Sequence, residues 1–186
     1  MKVKVINKSG NLLPYKNTFY SSGYDIRANL ISDDQLELTS KIALYNSEII
    51  TYRSTSIIKN NLAVLIKPFG QAMIPTGLFV EIEFGYHLEI LSRSGMATSG
   101  IIVTNAPGII DSDYRGEIKV LLTNLSNNPY TIMHGDKIAQ LLLVKDIDIE
   151  WEEVENLSDS LRNTDGFGSS DMKGVHNIDI FKDDNK

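Results

Sequence analysis

The chain has 186 residues, enough for one domain of ordinary size, and its 42% hydrophobic content suits a packed core and excludes global disorder. No apolar run approaches the ~18 residues of a membrane span, and zero cysteines exclude disulfides and thiolate metal sites. The net charge of −6 is unevenly spread: residues 1–145 hold 14 of the 18 basic and 12 of the 24 acidic residues, so the acidity belongs to the tail and no basic stripe marks a nucleic-acid binder. The opening KVKVI has a strand pattern rather than that of a signal peptide, so a cytoplasmic protein without nucleic-acid or membrane partners is expected.

In chain order, Val3 and Val5 alternate with lysines and predict a half-buried strand. Leu12 to Tyr20 has no period and reads as a loop. SSGYDIRANL then leads small residues into a short strand with Asp25 at its start. Residues 33–75 are β-like, with Leu36 and Leu38 alternating and EIITYRSTSII and NLAVLIKPF rich in apolar and β-branched residues; Pro68-Phe69-Gly70 and Pro75-Thr76-Gly77 punctuate them. Leu78–Ile82 and Tyr86–Leu91 read as a hairpin around Phe84-Gly85. In LSRSGMATSG, Ser94 is a good N-cap and Gly100 a good stop, which predicts one short helix over Gly95–Ser99. Strands follow at Ile101–Thr104, Glu117–Leu125, Tyr130–Met133 and Lys137–Val144, with turns at Asn127-Asn128-Pro129 and His134-Gly135-Asp136. After Trp151 the strand pattern ends. Many short strands between turn residues predict an all-β barrel or jelly-roll-like architecture with one short helix. The expected division is a β domain over 1–150, with an inserted hairpin at about 46–69, and an acidic arm and tail over 151–186.

The chain is organised around NAPGIIDSDYRG, Asn105 to Gly116. Pro107-Gly108 between β-branched runs is a hairpin signal, so Asp111 and Tyr114 should sit on a tight, braced turn. Such a turn could simply cap an exposed loop, or hold a carboxylate and an aromatic face against a small ligand. Four other stretches carry polar groups of interest. Ser92-Arg93-Ser94-Gly95 brings a guanidinium, a hydroxyl and free N–H groups to a helix start, which suits phosphate or is an ordinary cap. In GDKIAQLLL, Asp136 could brace a turn, and Gln140 needs partners if buried. Gly23-Tyr24-Asp25 places a carboxylate at a loop exit. In RNTDGFGSS, Phe167 lies alone among glycines and hydroxyls that could wrap phosphates in a backbone nest. The three histidines are isolated, and no HExxH, P-loop or GxGxxG pattern occurs.

SSGYDIRA, LSRSGMA, NAPGIIDSDYRGEI, HGDKIAQL and RNTDGFGSS, in this order and spacing, resemble the five motifs of the trimeric dUTPases, and MIPTGLFVEI matches as well. The resemblance covers most of residues 1–170. It implies a dUTPase-type β-barrel subunit in a homotrimer. Each site would take motifs one, two and four from one chain, motif three from a second and motif five, on a C-terminal arm, from a third. It implies Mg2+-dependent cleavage of dUTP between the α- and β-phosphates to dUMP and pyrophosphate. Asp111 would orient the attacking water, and Tyr114 would pack on the deoxyribose and exclude a 2′-hydroxyl. Asn105 and the hairpin backbone at Gly108 and Ile110 would read uracil. Arg93, Ser94, the Gly95 amide and Gln140 would hold the phosphates. Asp25 would contact Mg2+ through water, and Arg162, Phe167, Gly168, Ser169 and Ser170 would close over the nucleotide. Phosphoryl transfer rests on positioning and charge stabilisation, so amides, arginines and one metal suffice. Several positions depart from the pattern: Ser92 stands in place of a proline, Asn163 and Asp165 in place of glycines, and the 46–69 insert and the tail after Ser170 are extra. A dCTP deaminase-like enzyme on a similar fold and a non-catalytic, nucleotide-responsive β-trimer are the alternatives.

Overall fold

A computed structural model of the protein describes residues 1–31, 39, 41–53, 60–160 and 163–164. The alternation expected at Leu36 and Leu38 lies outside them. Among the described residues the strands and the helical turn of the main body follow in order: β1 Lys4–Asn7, β2 Tyr24–Arg27, β3 Ala43–Arg53, β4 Asn60–Glu81, β5 Tyr86–Leu91, α1 Ser94–Ala97, β6 Ile101–Val103, β7 Gly108–Ile110, β8 Glu117–Asn124, β9 Tyr130–Met133 and β10 Lys137–Lys145. The architecture is the expected all-β, jelly-roll-like one, and the short helix expected after Ser94 is present. The residues group into two compact units, Met1–Asp148 and Ile149–Lys186. All the described strands belong to the first. In the second, the described residues form no regular element, and the Asn163 N–H donates to Ser160 Oγ at 2.9 Å.

Two sheets enclose one core. The larger runs β1-β4-β8-β6, with β3 and β9 also pairing with β4; the smaller runs β2-β10-β5-β7. Period-two burial builds the core: Ile118, Val120 and Leu122 of β8 face Leu88 and Ile90 of β5 and Leu141 of β10 within one apolar cluster. Each such side chain, fully buried, contributes about 1.5–3 kcal/mol.

Several expectations are corrected. Leu78–Ile82 and Tyr86–Leu91 are not a hairpin: Leu78 to Glu81 pair with β1 in the larger sheet, and β5 pairs with β10 and β7 in the smaller. Both runs carry apolar side chains to bury, so they meet face to face across the core rather than edge to edge. Pro68 and Pro75 do not end strands. β4 continues through both because it changes partners there. Four residues, 67–70, bulge opposite Asn46 of β3, with Phe69 at φ +59°, and the β8 pairing shifts between Pro75 and Phe79. β1 is exposed along its whole length rather than half-buried, since it is an edge strand paired only with β4. β3 and β4 form a long antiparallel hairpin whose tip, 54–59, lies outside the described residues.

Candidate active site

The smaller sheet draws three distant stretches together. Gln140 on β10 is in register with Asp25 on one side and with Leu91 on the other, and Arg93 follows two residues after Leu91. Gly23 suits this crossing, because a Cβ there would come within 3.1 Å of the Gln140 side chain. Asp25 is buried, at 2% exposure, yet it is the most heavily bonded side chain of the region. Its Oδ1 accepts from Arg93 Nε at 3.0 Å and from Gln140 Nε2 at 3.3 Å. Its Oδ2 accepts from Asn17 Nδ2 and pairs with Lys137 Nζ, each at 2.8 Å. Burial alone would push the carboxyl up; hydrogen bonds from Lys137, Asn17 and Arg93, with the Arg93 charge, outweigh it and hold the pKa at about 2.

Arg93 also donates from Nη1 to the Lys137 carbonyl at 3.1 Å. Ser94 was expected to be the N-cap, but Arg93 occupies that position, with φ −87° and ψ 134°, and makes no side-chain cap bond. The Arg93 carbonyl accepts from Met96 and Ala97, so the turn starts one residue early and Ser94 is its first helical residue. The Ser94 side chain is left without a partner among the described residues, and the Gly95 N–H, in the first turn, has no intrahelical acceptor. Ser92 has a structural task, its Oγ accepting from the Val103 N–H at 2.8 Å. Arg93 and Gly95 line a cavity of about 470 Å³ together with Arg27, Gly135 and Lys137. Asp136 braces the turn before β10 as expected, its Oδ2 accepting from the Met133 N–H at 2.8 Å.

The central stretch forms a wider connection than a tight hairpin. β6 and β8 pair antiparallel, Val103 with Leu122, but between them β7 leaves to pair with β5 in the other sheet, Gly108 opposite Ile90 and Ile110 opposite Leu88. The Ala106–Pro107 bond is cis. Asn105 lies beside Gly108. Asp111 to Tyr114 form a β-turn closed by the Tyr114 N–H donating to the Asp111 carbonyl at 3.1 Å, and Arg115 Nη1 braces it on the Ser112 carbonyl at 2.7 Å. Tyr114 folds back over Gly116, where any Cβ would collide with the phenol ring, and its hydroxyl donates to the Glu117 carbonyl at 3.0 Å. The Asp111 carboxylate is exposed and makes no hydrogen bond or ion pair among the described residues. Asp111, Tyr114 and Ile110 line a second cavity, about 380 Å³, with Met73, Glu117 and Lys119. The structure thus joins Asp25, Arg93 and Gln140 directly. It groups Asn105, Gly108, Ile110, Asp111 and Tyr114 at the other end of the sheet order. Arg162, Asp165, Phe167, Gly168, Ser169 and Ser170 lie outside the described residues; Asn163 takes φ +46°, a conformation glycine and asparagine adopt readily. Lys137, Arg27 and Asn17 were not anticipated. GDK offered a weak signal for the first, and the aperiodic loop none for the last.

Three comparisons with known proteins bear on this arrangement. The dUTPase family model matches residues 58–171. A deoxyuridine 5′-triphosphate nucleotidohydrolase of Finegoldia magna is 41% identical over 169 residues, covering 90% of this chain and 97% of the relative. Among solved structures, the Staphylococcus bacteriophage 80alpha dUTPase with dUpNHpp superposes with a TM-score of 0.66 at 24% identity, over 91% of this chain and 98% of its own. A variant of the dUTPase from phage phi11 of S. aureus, described with a structural Mg(II) ion, gives 0.62 at 21% identity over 86% and 100%. The fold is that of these structures, and the family match and the relative's near-complete coverage carry the assignment: this chain belongs to the dUTPase family.

Proposed function

We propose that this dUTPase-family enzyme hydrolyses dUTP at the α–β phosphate bond, giving dUMP and pyrophosphate with Mg2+, at sites shared between the chains of a homotrimer. The observation that carries the reading is the meeting of Asp25, Arg93, Lys137 and Gln140 from three distant stretches beside the free Ser94 hydroxyl and Gly95 N–H. An ionised carboxylate thus stores a guanidinium and an amide where a polyphosphate can take them over. Arg93, Ser94, Gly95 and Gln140 hold the phosphates. Asp111, without a partner among the described residues, orients the attacking water as a positioned base. Tyr114, fixed by its bond to Glu117 and its fold over Gly116, offers the deoxyribose a rigid face and leaves no room for a 2′-hydroxyl. Asn105 and the backbone at Gly108 and Ile110 pair with uracil. Arg162 and Phe167 to Ser170 close over the nucleotide.

The donor set suits a hard cation held mainly by phosphate and water. Among the described residues no three His, Asp or Glu side chains cluster as a metal cage. Asp25 Oδ1, facing Arg93 and Gln140, is the oxygen that would receive a metal-bound water once those two engage phosphate. The ion, when bound, neutralises charge on the polyphosphate. Asp111 and Tyr114 line a different cavity from Arg93 and Gly95, which supports a site completed by a neighbouring chain.

Pyrophosphate release from dUTP, dCTP, dTTP and UTP with Mg2+ tests the reading. Turnover should be confined to dUTP: cytosine leaves buried polar groups unpaired, a loss of about 10⁴ or more where a site is built to hydrogen-bond its substrate. The thymine methyl and the 2′-hydroxyl meet steric walls. Deamination of dCTP would favour the deaminase-like alternative, and comparable hydrolysis of all four nucleotides would refute the pocket.

A further inference from the structure

The stretch Leu12 to Tyr20 belongs to none of the five motifs and has no periodicity. It is nonetheless tied to the most heavily bonded charge of the site. A single antiparallel bridge joins Tyr15 to Asp25, the Asp25 N–H donating to the Tyr15 carbonyl at 3.0 Å. Two residues on, the Asn17 amide spans both members of an ion pair. Its Nδ2 donates to Asp25 Oδ2 at 2.8 Å and its Oδ1 accepts from Lys137 Nζ at 2.7 Å. A carboxylate only accepts and an ammonium only donates, so these two partners fix which way the amide faces. Tyr15 backs the arrangement, with Lys137 Nζ 5.0 Å from its ring centroid and its hydroxyl 3.3 Å from Arg27 Nη2.

The two oxygens of Asp25 therefore face different surroundings. Oδ1 meets Arg93 and Gln140, the groups placed on phosphate. Among the described residues, Oδ2 meets only Asn17 and Lys137. When Arg93 and Gln140 turn to a polyphosphate, Oδ2 alone keeps the carboxylate oriented. A lysine on a flexible stem supplies charge with little direction, whereas a planar amide bonded on both sides supplies the direction.

We propose that Asn17 is a positioning residue, which locks Asp25 and Lys137 in one orientation so that Asp25 Oδ1 keeps facing the phosphates and a metal-bound water while Arg93 and Gln140 change partners. The proposal rests on the dUTP reading above. Asn17→Ala removes both bonds. Asn17→Asp keeps an acceptor for Lys137 but sets one carboxylate against another.

The test uses the full chain, with wild type alongside. In Asn17→Ala, kcat for dUTP should fall about 10- to 100-fold, the range for losing an outer-shell partner, with a smaller change in KM. The Mg2+ dissociation constant, measured calorimetrically with the α,β-imido analogue of dUTP bound, should rise by a similar factor. The thermal midpoint should stay within about 5 °C of wild type. Asn17→Asp should lose at least as much turnover as Asn17→Ala. Wild-type kcat and Mg2+ binding in Asn17→Ala, full activity in Asn17→Asp, or a loss of kcat explained by unfolding at the assay temperature would each overturn the role. A wild-type chain that releases no pyrophosphate from dUTP sinks the underlying reading and this role with it; an active wild type beside an equally active Asn17→Ala sinks the role alone.

Discussion

Asp25 is buried and holds four partners, from residues 17, 93, 137 and 140, whereas Asp111 stands on an exposed turn and holds none among the described residues. Both are single carboxylates on the same four-stranded sheet or at its edge, and both belong to stretches that mark the family. The difference lies in where their partners come from. Asp25 is organised entirely by its own chain, so its ionisation and orientation are settled before any ligand arrives. Asp111 is presented on a braced backbone with its carboxylate left free, the state expected of a group whose partner is a water or a nucleotide. One acid is therefore coupled to stability and the other is not.

Exchanging each acid for its amide tests that contrast. Asp111→Asn should lose roughly 10²–10⁴-fold in turnover, the range for a positioned base, while the unfolding free energy and dUTP binding stay near wild type. Near-normal turnover would remove Asp111 from its role. Asp25→Asn should lose stability as well as turnover, because Lys137 and Arg93 would keep their charges without a counterion. Breaking a buried pair costs roughly 3–5 kcal/mol. The loss here should fall below that range, since the Lys137 and Arg93 side chains left behind remain 22% and 24% exposed to water. Urea denaturation reads this directly, and an unchanged midpoint would erase the distinction between the two acids.

The smallest effect is in acid. The folded-state pKa of Asp25 is depressed, so its stabilisation is fully present above the ordinary aspartate range and is lost as the pH falls from there towards about 2. The acid limb of the wild-type stability curve should therefore be steeper than that of Asp25→Asn between about pH 4 and pH 2. Parallel limbs would mean that the carboxylate's bonds contribute little to folding.

The contrast between the two acids also separates what the sequence disclosed from what it did not. β6, β8, β9 and β10 were legible to within a residue, because each is a short β-branched or apolar run bounded by Gly, Asn or Asp turns. The turn at Asp111–Tyr114 was legible for the same reason: its bonds are local, from Tyr114 to Asp111 and from Arg115 to Ser112. Long-range choices were hidden. Nothing near Leu78 or Tyr86 says that the two runs part into different sheets, and nothing near Pro68 or Pro75 says that a strand survives them by changing partners. At the site, Gly23-Tyr24-Asp25 reads in the sequence only as a carboxylate at a loop exit, yet Asp25 is buried under groups up to 115 residues away. Asn17 had no signal, because its role exists only through Asp25 and Lys137, neither of which is its neighbour in sequence.

In the proposed shared site, catalysis needs the Asp25–Arg93 node of one chain and the Asp111 turn of another. Co-assembling Arg93→Gln with Asp111→Asn at equal ratio, then measuring pyrophosphate release from dUTP, distinguishes a shared site from one built within a single chain. Each parent alone should show no more than about 1% of wild-type turnover. In random cyclic trimers about a quarter of the sites would pair an intact Arg93 with an intact Asp111 from the adjacent chain, so the mixture should recover to about a quarter of wild-type activity. A mixture as inactive as its parents would place the whole site within a single chain and rule out catalysis shared between chains.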